Sequence, residues 1–222
     1  MKQIITIDGP AGSGKSTVSR LLAKKLDFIY LDTGAMYRAV ALHAWRNGIS
    51  FEDGKALGAM CKKIDINFVP NGDSSRIYIG IEDISGEVRK PEMDMLSSKI
   101  SIIKEVRDAM TELQRKIGKE GRLVAEGRDM GTVVFPEANH KFFLTASPEI
   151  RAGRRHAERQ DRGESVSMEE VEAEIRKRDE QDETRHFAPL KPAEDAIIID
   201  STTLGIDRVV EKILVNLGKK EI

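Results

Sequence analysis

An α/β fold, in which a five-stranded parallel sheet is flanked by helices, is what the 222 residues predict. Three observations carry that expectation. Five short apolar runs alternate with segments whose apolar residues recur at helical spacing. A glycine-rich stretch, Gly9 to Ser16, lies between the first run and the first helical segment. The pattern changes once, between about residues 65 and 90, to apolar–polar alternation of the kind a half-buried antiparallel strand needs.

The elements follow in order. Ile4–Ile7 is a β-branched run ending in Asp8-Gly9, a buried strand entering a tight turn. Val18, Leu21, Leu22 and Leu26 mark a helix over Ser16–Leu26. Phe28–Leu31 is a second strand, and Asp32-Thr33-Gly34 leads into a helix over Ala35–Arg46 closed by Asn47-Gly48. Another helix is expected over Asp53–Lys63. Ile66, Phe68, Ile77, Ile79 and Ile81 then alternate with polar residues around a turn at Pro70-Asn71-Gly72-Asp73, which predicts a hairpin. Asp83–Arg89 is expected to add a third strand, and Ser97–Lys116 to form one long helix. Leu123–Glu126, Lys141–Thr145 and Ala196–Asp200 are the remaining strands. Ser147-Pro148 reads as a helix cap with proline at the first helical position. Ser167 with Glu170 three residues on fits a capping box, and Ile206–Leu217 closes the chain as an amphipathic helix.

Composition narrows the function. Lys and Arg number 36 against 37 Asp and Glu, a net charge of -1, so the basic face that non-specific nucleic-acid binding requires is not expected. Cys61 is the single cysteine, which rules out an internal disulfide and fits a reducing compartment. It falls in an apolar-periodic stretch and reads as a small buried hydrophobe. No basic-then-apolar leader pattern opens the chain, and no run approaches the about 18 apolar residues of a membrane span. A cytoplasmic protein is expected.

Gly9-Pro10-Ala11-Gly12-Ser13-Gly14-Lys15-Ser16 satisfies G-x-x-x-x-G-K-[ST] with a strand before it and a helix after it. Glycines let successive backbone N–H groups point inward at an anion, and the helix start adds its positive dipole end. Lys15 is placed to reach the β- and γ-phosphates, and the Ser16 hydroxyl to ligate Mg²⁺. The expected fold is thus a P-loop NTPase core. A guanine-specific N-K-x-D does not occur, since no asparagine is followed by lysine. Ile197-Ile198-Ile199-Asp200 has the form of a Walker B strand, but Ser201 follows it, and a structural or base-loop role is favoured for Asp200. His43, His140, His156 and His186 show no metal-ligand spacing.

Four stretches, Ile5–Pro10, Leu31–Arg38, Glu126–Pro136 and Ile199–Thr202, resemble the bacterial cytidylate kinases, and the likeness runs from end to end. The Gly127-Arg128-Asp129-Met130-Gly131-Thr132-Val133-Val134-Phe135-Pro136 run is its most specific part. The resemblance implies transfer of the γ-phosphoryl of ATP to CMP, and to dCMP, with Mg²⁺ carried by ATP. It implies a core over 1–35, 117–147 and 190–222, and a monophosphate-binding region over 36–116 with the β insertion at about 65–90. A helical lid is implied over about 148–165, followed by an acceptor-binding helix over about 168–188.

Residue roles follow from the same likeness. Gly9 to Ser16 and Thr17 would bind ATP. Arg38, Arg128 and Arg185 would hold the acceptor phosphate; Ser98, Arg107 and Asp129 would read cytosine; Arg178 and Asp182 would bind the ribose hydroxyls. Arg151 and Arg155 would close over the transferring phosphoryl, while Thr33 and Tyr37 would line the acceptor site. Spacing independently puts Arg178, Asp182 and Arg185 on one helical face, and Arg151 with Arg155 on another. Arginine suits such work because its planar fork holds phosphate bidentately and keeps its charge. Two other readings stay open: a P-loop kinase for UMP, dTMP or a non-nucleotide such as shikimate, and a nucleotide-dependent switch without acceptor chemistry. The switch has no evident use for a second anion site. A monomer is expected, because lid motion needs free surface.

Overall fold

The computed structural model describes residues 3–71 and 74–218. The backbone divides into two compact units, one over Asp32–Glu120 and the other formed by the segments on either side of it.

The flanking segments build the parallel sheet. Its strands are β1 (Ile4–Asp8), β2 (Ile29–Asp32), β6 (Leu123–Gly127), β7 (His140–Thr145) and β8 (Ile197–Asp200), in the order β2-β6-β1-β7-β8. β1 is central: Ile4 pairs with Leu123 and Asp8 with Gly127 on one side, Ile5 with His140 on the other. Helix α1 (Lys15–Leu26) leaves the loop at Gly14 (φ 88°) and stops at Asp27, whose left-handed φ of 54° turns its N–H onto the Ala23 and Lys24 carbonyls. Ile5, Ile7, Leu22, Val124, Phe142 and Leu144 form the core with Val210 and Ile213 of the last helix, α8 (Ile206–Gly218). Each such side chain fully buried is worth about 1.5–3 kcal/mol. Helix α6 (Pro148–Asp161) is capped by Ser147, and α7 (Met168–Thr184) by the predicted box, with Ser167 and Glu170 each accepting the other's backbone N–H. The two pack through Ala152, Val171 and Ile175.

The Asp32–Glu120 unit is mainly helical. Asp32 caps α2 (Thr33–Arg46) by accepting from the Ala35 N–H at 2.8 Å. α2 packs on α4 (Pro91–Ile100), and α3 (Gly54–Cys61) on α5 (Lys104–Ile117). Glycine permits the second contact, because a Cβ on Gly58 would lie 2.7 Å from that of Glu105. The small sheet runs β3 (Ile66–Asn71), β4 (Ser74–Ile79), β5 (Glu82–Asp83), all antiparallel. Cys61 is buried, and burial pushes its thiol up to about 12.

Three expectations for this unit change. The third strand is only two residues long, and a 3₁₀ turn at Glu87–Arg89 follows it. The Ser85 hydroxyl accepts the Ile77 N–H, replacing a ladder bond with a side-chain bond. Ile81 is wholly exposed in the β4–β5 turn rather than part of the alternating strand. The long helix is two helices, α4 and α5, broken at Ser101–Ile103. There the Ser101 hydroxyl bonds the Ser98 carbonyl at 2.8 Å, and the Arg107 guanidinium bonds the Ser101 carbonyl at 3.0 Å. Of the predicted hairpin turn, Gly72 and Asp73 lie outside the described residues. Among those described, no helix is long and apolar enough to cross a membrane.

Candidate active site

The phosphate loop stands where the pattern put it, between β1 and α1. Its glycines are sterically required: a Cβ on Gly9 (φ 154°) would lie 2.0 Å from the Leu144 carbonyl oxygen, and one on Gly12 (φ 73°) 2.7 Å from that of Arg151. Ser13 is buried and its hydroxyl lacks a hydrogen-bond partner. Lys15 is buried too, with its ammonium on the Pro10 carbonyl at 2.9 Å. Burial, then the positive charge of Arg128, pushes Lys15 down to about 7.

The acid facing this loop comes from β6, not from β8. Ser16 Oγ donates to Glu126 Oε2 at 2.8 Å, and the Tyr30 hydroxyl donates to the other oxygen of the same buried carboxylate. Asp200 is exposed and closes its own loop, accepting from the Thr202 N–H at 2.8 Å and hydroxyl at 2.6 Å. Sequence reasoning missed Glu126. Its signal was the Leu123-Val124-Ala125-Glu126 run, an apolar strand closing on an acid. The donor set fits Mg²⁺, a hard cation bound through one or two carboxylates together with phosphate oxygens.

Helix α6 reaches the loop with two arginines. Arg151, buried, donates to the Ala146 carbonyl at 3.0 Å, the Ala11 carbonyl at 3.2 Å and Asp179 of α7 at 2.6 Å. Arg154, absent from the sequence-based set, donates to the Ser13 carbonyl at 3.4 Å, and to the Ser201 hydroxyl at 3.0 Å and carbonyl at 2.7 Å. Arg155 instead pairs with Glu158 at 2.8 Å. Only the i, i+3 neighbour spacing from Arg151 hinted at Arg154.

A second cationic cluster lies in the same unit. Beyond Gly127, Arg128 donates to Asp182 at 2.7 Å, and both are largely buried. Arg185 approaches Asp182 at 3.5 Å and Asp129 at 3.6 Å, and donates to the Ala188 carbonyl at 2.7 Å. Burial disfavours charge on Asp182, but Arg128, Arg178 and Arg185 outweigh it and hold the carboxyl below its usual range. Burial opposes the Arg128 charge as well, and Asp182 more than restores it. One correction applies. α7 ends at Thr184 and Arg185 is extended (φ −59°, ψ 142°), so it does not share the helical face of Arg178 and Asp182. It reaches Asp182 because the chain turns back there, with the Leu190 N–H on the Asp182 carbonyl.

The other candidates belong to the Asp32–Glu120 unit. Arg38 stands 3.6 Å from Asp32 and 3.7 Å from Asp94. Arg107 is buried over the Tyr37 ring, 5.7 Å from its centroid. Ser98 is half-buried on α4, and Thr33 is buried at the start of α2.

A glycine-lined phosphate loop opening onto a lysine, on a five-stranded parallel sheet with an acid beside the loop serine, defines the class: a P-loop phosphotransferase fold. Two solved structures share that fold at low identity. One is shikimate kinase from Bacteroides thetaiotaomicron (12% identical, TM-score 0.52, covering 98% of this chain and 99% of that one). The other is an uncharacterised protein from Eubacterium ventriosum (14%, TM-score 0.54, 99% and 100%). The chain belongs to the cytidylate kinase family, whose model matches residues 5–219. It is 52% identical to the cytidylate kinase of Carboxydothermus hydrogenoformans over 97% of both chains. It is 46% identical to that of Vibrio parahaemolyticus over 98% of this chain and 96% of the other.

Proposed function

We propose that this protein transfers the γ-phosphoryl of ATP to CMP, and to dCMP, yielding ADP and the cytidine diphosphate. One observation carries the reading beyond ATP binding: besides Lys15 of the phosphate loop, the same unit buries a second arginine cluster, in which Arg128 donates to Asp182 at 2.7 Å and Arg185 stands 3.6 Å from Asp129. Two cationic centres suit two phosphates that must react, and a switch needs only one. Membership of the cytidylate kinase family supplies the acceptor.

In this reading the loop amides and Lys15 bind the donor phosphates. Ser16 and Glu126 would hold Mg²⁺, which would supply positive charge to offset that of the donor phosphates. The acceptor phosphate is already an anion near neutral pH, so the work is positioning and charge neutralisation rather than base catalysis. Arg38, Arg128 and Arg185 are assigned to the acceptor phosphate; Ser98, Arg107 and Asp129 to cytosine; Arg178 and Asp182 to the ribose. The 36–116 region is assigned to the monophosphate and the 148–165 segment to a lid. Arg151 and Arg155 would close on the phosphoryl in transit and exclude water. A cytoplasmic monomer is the expected form.

ADP release with ATP and Mg²⁺ tests the reading against CMP, dCMP, UMP, dTMP and shikimate. CMP and dCMP should be the favoured acceptors. ATP binding without acceptor-dependent turnover would make the protein a switch, and preference for another acceptor would move it to another small-acceptor kinase.

A further inference from the structure

Asp8 is the last residue of β1, just ahead of the phosphate loop, and none of the roles above uses it. Its carboxylate is 4% exposed. Oδ1 accepts the Met130 N–H and Oδ2 the Gly131 N–H, each at 2.8 Å, from residues more than 120 positions away. Those two N–H groups open the π-helical turn Met130–Val134, whose preceding residue, Asp129, has φ −147° and ψ 22° and caps nothing with its side chain. The β1–β6 ladder ends at Asp8–Gly127. The sheet therefore stops supporting the chain at Gly127, and the Asp8 carboxylate holds the next stretch through two backbone bonds. The fit is close: a Cβ on Gly131 would lie 3.0 Å from Thr6 Oγ1 and 3.4 Å from Asp8 Oδ2.

Stability alone is a poor reason for this arrangement. Burial, with Asp129 adding its like charge, pushes Asp8 up to about 7 despite the two N–H donors. A carboxylate beside another carboxylate strains the site electrostatically, whereas its two oxygens match two adjacent N–H groups as no neutral side chain of that size does.

We propose that Asp8 is a positioning residue: it clamps the backbone of Met130 and Gly131 to the strand that carries the phosphate loop, and so sets Arg128 and Asp129 for the acceptor. The proposal rests on the assignment of Arg128 and Asp129 to the acceptor, made above. It gives the donor loop and the acceptor-reading turn a common anchor.

The test is Asp8→Asn, assayed at pH 8, where the wild-type carboxyl is ionised. The amide presents one oxygen where the carboxylate presents two, so one N–H loses its acceptor. The kcat/KM for CMP should fall by about tenfold or more, the fall expected from losing a hydrogen bond to a charged acceptor. The CMP-to-UMP preference should narrow, because Asp129 is displaced. ATP affinity without acceptor should stay within about threefold, well under one decade of binding. In an Asp129→Asn background, Asp8→Asn should narrow that preference no further, since coupled residues do not add. Should Asp8→Asn fail to fold, Gly131→Ala presses on the same turn with Asp8 intact, and the same CMP-selective loss is expected. Parallel losses for CMP and UMP, or an equal loss of ATP affinity, would overturn the proposal. Arg128→Ala and Asp129→Asn run alongside: if they are acceptor-selective and Asp8→Asn is not, only the clamp is wrong. If they impair donor and acceptor alike, the acceptor assignment falls and the clamp with it.

Discussion

Ser16 and Glu126 meet side chain to side chain at 2.8 Å although 110 positions separate them in sequence. The hydroxyl of the phosphate loop is thereby aimed at a buried carboxylate on the neighbouring strand, where a hard cation and the donor phosphates would share oxygens. Glu126→Gln preserves shape and removes the charge. We expect kcat to fall by about 10- to 150-fold, the range for a charge-assisted contact, with a raised Mg²⁺ requirement. A Mg²⁺ titration of the rate checks this. An unchanged requirement would leave Glu126 as an anchor for Ser16 and Tyr30 only.

Lys15→Ala should separate activity from stability. One lost charge contact to a transferring phosphoryl group is worth about 10²–10³ in kcat. Yet Lys15 is a buried ammonium whose one bond is to the Pro10 carbonyl, and its loss removes a desolvated charge. Thermal melting should show a Tm equal to or above that of the wild type. A Tm that drops along with the rate would make Lys15 structural.

The three arginines assigned to the acceptor phosphate should look alike in kinetics and unlike in melting. Each alanine substitution should weaken CMP use by about 10- to 150-fold. Arg38 is part-exposed, with ion pairs at 3.6 and 3.7 Å, so its removal should cost no more than about 1 kcal/mol of stability. Arg128→Ala leaves Asp182 buried without its closest cation, which costs about 3–5 kcal/mol. Steady-state kinetics with varied CMP, paired with urea unfolding, would distinguish the two; equal stability losses would mean that Asp182 finds another partner.

Asp8 makes a pH prediction with a definite sign. Its folded-state value lies near 7, above the unfolded 3.8. Over that window the folded protein holds a proton that the unfolded chain has released. The stabilisation associated with that proton is complete below 3.8 and is lost as pH rises through 7. Stability of the wild type relative to Asp8→Asn should therefore decline between pH 4 and 7, by at most about 1.4 kcal/mol per pH unit, and level off above. Urea midpoints for both proteins across pH 4–8 test it, and a flat difference would mean that Asp8 stays ionised throughout.

Local features were legible in the sequence, and relationships set by strand order were not. The phosphate loop, the Ser167–Glu170 capping box and the Leu26 end of α1 each depend on residues within a few positions of one another. The family resemblance named Arg128, Asp129, Asp182 and Arg185, the first two within its most specific motif, and the structure brings the four together. Glu126 escaped because nothing in its own stretch says that β6 lies beside β1; that follows from the crossover order of the sheet. Arg154 escaped for a similar reason, since its partners, Ser13 and Ser201, come from opposite ends of the chain. The break between α4 and α5 carries no glycine or proline, only a serine hydroxyl and an arginine competing for backbone carbonyls.

The central position of β1 bears on how the protein is made. β1 has no neighbour in the sheet until Leu123 and then His140 have been translated. At typical rates of synthesis that wait is on the order of ten seconds. Meanwhile the Asp32–Glu120 unit emerges with its own buried set, from Met36 to Met110. Until then the nascent chain carries the apolar Ile4-Ile5-Thr6-Ile7 segment without its sheet partners. Sheet closure, with its long sequence separations, should be the slow and aggregation-exposed step of biogenesis.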